Sequence, residues 1–299
     1  MTEKNRLRRT MMFVSAQTPG LMKEAYIYRP DSIIFDLEDA VAENQKDAAR
    51  FSLYHALKTV DFMGCERIVR INGLETPHWK EDIRAAIAGG VDVIRIAKCE
   101  SAEDVKNAEK QIEAAEIEFG REKNSTLIMA ALESPMGILN ALEICKSSER
   151  LAGVAISGGD LRKSMQTKYY PGGNEIIVAR GQVLLAARAA GVQAYDTVFT
   201  DFNDMEGFYG DVSVAKEMGF DGKSVVTPRQ IHIVHEIFAP SEKEIIEAER
   251  TVRAIREHAD EGIGIFTLDG KMLDIAFLPG AERVLALAKA SGCYKGDLL

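Results

Sequence analysis

The chain has 299 residues, 46% hydrophobic and 28% charged, enough apolar material for a large core, and global disorder is excluded. Its 37 basic and 46 acidic residues leave a net charge of −9, a poor field for a phosphodiester backbone, so no nucleic-acid partner is expected. Cys65, Cys99, Cys145 and Cys293 are scattered without a C-x-x-C pair, which argues against a zinc knuckle or a disulfide framework and fits a reducing cytoplasm.

The basic start Arg6, Arg8 and Arg9 leads into an apolar run, Met11 to Val14, that is too brief for a signal-peptide core or a membrane span. A soluble cytoplasmic protein with no membrane partner is therefore expected. Along the chain, Met11 to Ser15, Ser32 to Glu38, Arg67 to Asn72, Asp92 to Lys98, Thr126 to Ser134, Gly153 to Asp160, Val192 to Asp201 and Lys223 to Thr227 read as strands. Between them, Lys46 to Val60, Glu100 to Phe119, Gly137 to Ser147, Asn174 to Ala190 and Phe208 to Met218 have helical spacing. This alternation predicts the α/β class and a closed (β/α)8 TIM barrel over residues 1–238. No dinucleotide fingerprint follows the first strand, and no Walker motif occurs.

Beyond Pro228 a short helix, Arg229 to Phe238, precedes Ser241 and Glu244, which are spaced as a capping box for a charged helix reaching about Glu261. Ile263 to Leu268 and Lys271 to Asp274 flank Asp269-Gly270 as a β-hairpin, and Ala281 to Ala290 forms a last helix. Residues 239–299 are too few to fold alone, so they are expected to serve as a lid and oligomerisation extension.

In such a barrel the chemistry lies at the carboxyl ends of the strands. There the sequence places Asp36 and Glu38, Arg70, Lys98, Glu133, and the run Gly158-Gly159-Asp160. Glu133 and Asp160, with no soft ligand near them in sequence, suit a hard cation, Mg²⁺; the alternative is a carboxylate pair held by Arg70 and Lys98. Arg70 offers a planar fork for a substrate carboxylate or enolate oxygen while also serving the Asp36 to Asp39 cluster. Lys98 reads as an ion-pair partner of Glu38 or Asp36 before it reads as a Schiff-base nucleophile, which needs an apolar pocket. Gly158-Gly159 lets backbone amides approach a ligand, or is turn chemistry alone.

Taken in order, Ile34-Phe35-Asp36-Leu37-Glu38-Asp39-Ala40-Val41 with Lys46 and Ala49-Arg50, then Arg70-Ile71-Asn72, Lys98 and Glu133-Ser134-Pro135-Met136-Gly137, resemble the citrate lyase β-subunit family. Gly219-Phe220-Asp221-Gly222-Lys223, Pro228-Arg229-Gln230-Ile231 and Gly270-Lys271-Met272-Leu273-Asp274 extend the resemblance over about residues 6 to 292. The resemblance implies Mg²⁺ on Glu133 and Asp160 and Arg70 on the oxo-acid oxygens. It also implies Asp274 as an acid/base delivered by a neighbouring subunit's lid in a homotrimer or homohexamer. The implied activity is cleavage of a citryl thioester on acyl-carrier protein to oxaloacetate and an acetyl thioester, with companion citrate lyase subunits as partners. The alternatives are a malyl- or citramalyl-CoA lyase and a non-catalytic structural subunit. Four departures from the family pattern, Val14-Ser15-Ala16 for Val-Pro-Gly, Gly159 for an acid, Ala97 for proline and Thr227 for Asn or His, bear on substrate identity.

Overall fold

The apolar runs form eight strands: β1 (Thr10–Ser15), β2 (Ser32–Asp36), β3 (Glu66–Ile71), β4 (Val93–Ile96), β5 (Leu127–Leu132), β6 (Leu151–Ile156), β7 (Gln193–Asp196) and β8 (Gly222–Val225). All neighbours pair in parallel, and the barrel closes where β8 returns to β1 through Thr10↔Lys223, Met11↔Ser224 and Met12↔Val225. The computed structural model describes residue 4, residues 6–260 and residues 262–298. The chain divides into one unit up to Val234 and a second from His235.

Side chains of a strand alternate between faces, and a parallel barrel buries both. Met11, Ile34, Ile68, Val93, Leu127, Met129 and Tyr195 meet in one cluster. Two residues beyond Ile34, Ile68 and Val93 on the same faces come Asp36, Arg70 and Arg95, which the register sets side by side on β2, β3 and β4. The apolar interior thus gives way to a charged layer at the carboxyl end. Outside, the helix Lys46–Thr59 buries Lys46, Ala49, Leu53 and Leu57 at helical spacing. The helix Ala102–Glu118 starts at a capping box in which Ser101 accepts from the Asp104 N–H and Asp104 accepts from the Ser101 N–H.

Closure of the barrel depends on Gly222, where a Cβ would stand 1.9 Å from the Arg8 carbonyl oxygen and 2.8 Å from that of Arg9. Backbone cannot yield as a flexible side chain does. Gly222→Ala should therefore cost about 3 kcal/mol, the upper end of overpacking penalties, read as a lowered midpoint in urea unfolding.

Several predicted boundaries are corrected. The second strand stops at Asp36, not Glu38, because the Asp36 carboxylate accepts the N–H groups of Glu38 and Ala40 and turns the chain out of the ladder. The fourth ends at Ile96, with Lys98 in a left-handed turn at φ 50°. The fifth ends at Leu132, so Glu133 follows the strand, and the sixth ends at Ile156, which puts Asp160 in the first turn of the helix Gly158–Ser164. The seventh covers Gln193–Asp196 only. The helix expected over Gly137 to Ser147 is two, Pro135–Leu139 and Ala141–Cys145, parted at Asn140, whose side-chain amide donates to the Glu100 carbonyl.

In the second unit the helix Glu242–Asp260 begins at the Ser241/Glu244 capping box; Glu261 lies outside the described residues. Strands β9 (Ile265–Leu268) and β10 (Lys271–Asp274) pair as an antiparallel hairpin, with Asp269 and Gly270 both at positive φ as a type I′ turn requires. The last helix runs Leu278–Ala290, longer than expected because Pro279 is compatible with a first turn. The unit has its own cluster, Ala248, Val252, Ala281, Leu285, Ala288 and Tyr294. The division at Val234 falls inside the helix Ile231–Phe238, slightly before the expected boundary at 238. No helix among the described residues is long and apolar enough to cross a membrane, and all four cysteines are free.

Candidate active site

The charged layer is organised by Arg70. Its Nε and Nη2 each donate to Asp36 at 2.7 Å, and Nη1 lies 3.0 Å from Glu38 Oε2. Asp36 also accepts the two loop N–H groups described above, so its oxygens are fully engaged. The loop after β2 is held from behind by the buried Lys46, which donates at 2.7 Å to the carbonyls of both Leu37 and Glu38. Asn72 reaches the Leu37 carbonyl and Asp82, and Asp82 in turn accepts from Arg50. Lys46, Arg50 and Asn72 are thus a brace for the loop that carries Asp36 and Glu38.

Lys98 makes an ion pair with Glu38 and lies 3.7 Å from Asp39. Burial pulls its ammonium down, but these carboxylates outweigh it and hold Lys98 above its usual range, the reverse of what imine formation needs. The turn at Lys98 also aims its N–H at Glu133 Oε1, 3.3 Å away.

Glu133 is only 2% exposed, and its Oε2 has no hydrogen-bond partner. Burial pushes this carboxyl up to about 7, with the positive charge of Arg70 restraining it only in part. Asp160, in the first turn of the helix that follows the neighbouring strand β6, carries no hydrogen bond or ion pair among the described residues. An orphaned buried carboxylate oxygen beside a second unmatched carboxylate fits a hard cation. Among the described residues no three of His, Cys, Asp and Glu gather as a metal cage, so a cation held here would take its remaining ligands from substrate and water, the usual habit of Mg²⁺.

Asp36, Arg70, Glu133, Gly158, Gly159 and Asp160 share one cavity of about 380 Å³, together with Phe13, Arg95, Thr197 and Ser224. Gly158 donates its N–H to the Thr197 hydroxyl at 2.8 Å, and a Cβ there would strike Arg162 and Thr197, whereas Gly159 faces open space. The double glycine therefore has one structural member and one that leaves room beside Asp160. Lys98 lines a neighbouring cavity of about 720 Å³ with Trp79 and Lys110. Asp274 belongs to the second unit, at the end of its hairpin, where its carboxylate caps the following turn by accepting the Ala276 N–H at 2.8 Å.

Arg95 is the site residue that the sequence reading passed over. It lies in an apolar strand, Val93-Ile94-Arg95-Ile96, and attention there goes to Lys98 at the strand's end. The available signal was period two: Val93 and Arg95 share the inward face.

A family model described as HpcH/HpaI aldolase/citrate lyase matches residues 9–228. Citrate lyase subunit beta of Leuconostoc mesenteroides subsp. cremoris is 48% identical over 286 residues, covering 96% of this chain and 95% of its own. Among solved structures, the CitE protein of Mycobacterium tuberculosis in complex with magnesium, acetoacetate and coenzyme A matches with a TM-score of 0.77 at 28% identity, over 96% of this chain and 100% of that one. The citrate lyase beta subunit of the same organism, complexed with oxaloacetate and magnesium, matches with a TM-score of 0.66 at 28% identity over 80% of this chain and 100% of its own.

Proposed function

The chain belongs to the HpcH/HpaI aldolase/citrate lyase family, and on that premise we propose that its barrel mouth cleaves a citryl thioester into oxaloacetate and an acetyl thioester. The protein is an oxo-acid lyase. The observation that carries this reading is the pairing, in one cavity, of a guanidinium preset by Asp36 with two unmatched carboxylates, Glu133 and Asp160. Glu133 and Asp160 would hold Mg²⁺, which when bound supplies a Lewis acid toward the substrate hydroxyl and its adjoining carboxylate.

The remaining work falls to the chain's own groups. Asp274 takes the proton of the substrate hydroxyl. The O–H electron pair becomes the carbonyl bond of oxaloacetate as the carbon–carbon bond breaks, and the released pair stays on the acetyl thioester as an enolate that is reprotonated at carbon. Arg70 offsets charge on the oxygens of the departing oxo acid. Asp36 and Glu38 position that guanidinium, and Lys98 holds Glu38 in place. Gly159 lets the substrate approach the backbone beside Asp160, while Gly158, its N–H held by Thr197, shapes the turn that makes this possible.

Asp274 acts across a subunit boundary in this reading, the second unit serving as a lid in a homotrimer or homohexamer. Exposed Ile265 and Met272, both 64% exposed, and Ile275 surround the hairpin end and suit docking on another copy. The carrier is acyl-carrier protein or coenzyme A, the companions are further citrate lyase subunits, and the four free cysteines suit a cytoplasmic setting.

A panel of citryl, citramalyl and malyl thioesters on both carriers, with and without Mg²⁺, tests the reading through oxo-acid release. Citryl should be the fastest and strictly cation-dependent; turnover of malyl thioester alone would point to a malyl lyase. Arg70→Lys, which keeps charge but loses the bidentate fork, should cost about 2 kcal/mol, or roughly 30-fold in kcat/KM. An unchanged kcat/KM would leave Arg70 a structural role only.

A further inference from the structure

Among the described residues of the barrel unit five arginines are buried, and four have a carboxylate to meet: Arg8 has Glu66, Arg70 has Asp36, Arg150 has Glu116 and Arg180 has Asp196. Arg95 is 1% exposed and has no ion pair among the described residues. Its contacts are the Ser224 hydroxyl at 3.4 Å and the Phe13 ring, whose centroid is 5.3 Å from the guanidinium carbon, and its Nε is unpartnered. A buried cation without a counter-charge is costly, and such a group persists where something outside the fold supplies the anion.

The nearby carboxylates do not supply it. Asp36 is spent on Arg70 and two backbone N–H groups, and Glu38 on Arg70 and Lys98. Glu133 accepts from the Lys98 N–H; its charge and that of Arg95 act on each other, but no direct ion pair joins the two among the described residues. Arg95 nevertheless lines the same cavity as Arg70, Glu133 and Asp160, level with Arg70 on the adjacent strand, and both guanidiniums lie against the Phe13 ring. The mouth therefore offers two guanidinium forks, one preset by protein carboxylates and one awaiting an anion.

A citryl group carries two carboxylates. One sits on the carbinol carbon beside the hydroxyl; the other ends a CH₂–COO⁻ arm, which a citramalyl group replaces with methyl. We propose that Arg95 receives the carboxylate of this arm and is the residue by which the site selects citryl over citramalyl thioesters. The inference rests on the lyase reading above. A buried group built to bind a carboxylate rejects an analogue lacking it, because its own donors are then left unpaired; discrimination of this kind reaches about 10⁴-fold.

The test uses full-length protein with Mg²⁺ and two oxo acids that differ in this arm, oxaloacetate and pyruvate. Calorimetric Kd values are measured for the wild type, Arg95→Met and Arg95→Lys, together with kcat/KM for citryl and citramalyl thioesters. The wild type should bind oxaloacetate well ahead of pyruvate. Arg95→Met should weaken oxaloacetate about 100-fold or more with pyruvate moved far less, and the citryl to citramalyl ratio of kcat/KM should fall by a similar factor. Arg95→Lys should lie between. An equal loss for both oxo acids, or no loss for either, overturns the proposal. Removal of an unpaired buried charge should leave the ligand-free melting temperature unchanged or raised; if Arg95→Met does not fold, the same ratios in Arg95→Lys decide. A wild type that prefers oxaloacetate through Arg95 but cleaves no citryl thioester would sustain the anion site and sink the lyase reading. Citryl cleavage indifferent to Arg95 would do the opposite.

Discussion

Removal of divalent cations from the purified chain should abolish citryl thioester cleavage, Mg²⁺ or Mn²⁺ should restore it, and Asp160→Asn should remain deeply impaired at Mg²⁺ levels that saturate the wild type. The expectation follows from how few protein ligands are present. Mg²⁺ is held by one or two carboxylates and otherwise by water and substrate, so the loss of one formal charge of two removes a large share of the affinity. Glu133 is fixed by burial and by the Lys98 N–H, whereas Asp160 has no hydrogen bond or ion pair among the described residues. Asp160→Asn should thus lower Mg²⁺ affinity about 100-fold or more by calorimetry without altering the fold, since the Asp160 side chain makes no hydrogen bond or ion pair among the described residues. Full turnover in excess EDTA would remove the cation from the account. Borohydride trapping of substrate on Lys98 would then favour the imine route, against the ion pair that holds this lysine charged.

Asp274→Asn should lower kcat by ~100-fold or more while leaving Mg²⁺ binding intact, the scale of a lost general acid/base. The carboxylate caps the turn after β10 by accepting one N–H, and an asparagine oxygen does the same, so folding is not expected to suffer. If the second unit serves as a lid, Asp274 would enter the site only over bound thioester, and closure would exclude water from an enolate until the proton is delivered. If the lid serves a neighbouring copy, mixing Asp274→Asn with Arg70→Lys should regain part of the lost activity through hybrid oligomers that contain one intact site. Wild-type turnover by Asp274→Asn, or no recovery despite proven subunit exchange, would remove the shared lid.

The barrel was legible because its helices and strands announce themselves at different periods, and the hairpin because Asp269-Gly270 meets the dihedral demand of a type I′ turn. Strand ends were less legible, since they are set by bonds that a hydrophobic pattern does not encode. β2 ends where the Asp36 side chain captures backbone N–H groups, and β6 ends before small residues, Ser157-Gly158-Gly159, that extend a strand pattern on paper but open a helix in space. The Glu38 to Lys98 pairing could be anticipated from charge alone, but the direction of Lys46 could not: a lysine at the start of a helix usually points to water, and here it is buried against two carbonyls. Arg95 was hidden for a related reason. A parallel barrel strand is apolar on both faces, so one charge within it looks like an interruption until the inward alternation places it in line with Asp36 and Arg70.

The site breaks a carbon–carbon bond and leaves the thioester whole, and mass spectrometry of the products formed from a citryl thioester in D₂O with Mg²⁺ tests this most directly. Cleavage through an acetyl enolate predicts oxaloacetate and an intact acetyl thioester whose methyl group carries one solvent deuteron. Free citrate and free carrier thiol, with no deuterium on carbon, would contradict it and mark the chain as a thioester hydrolase.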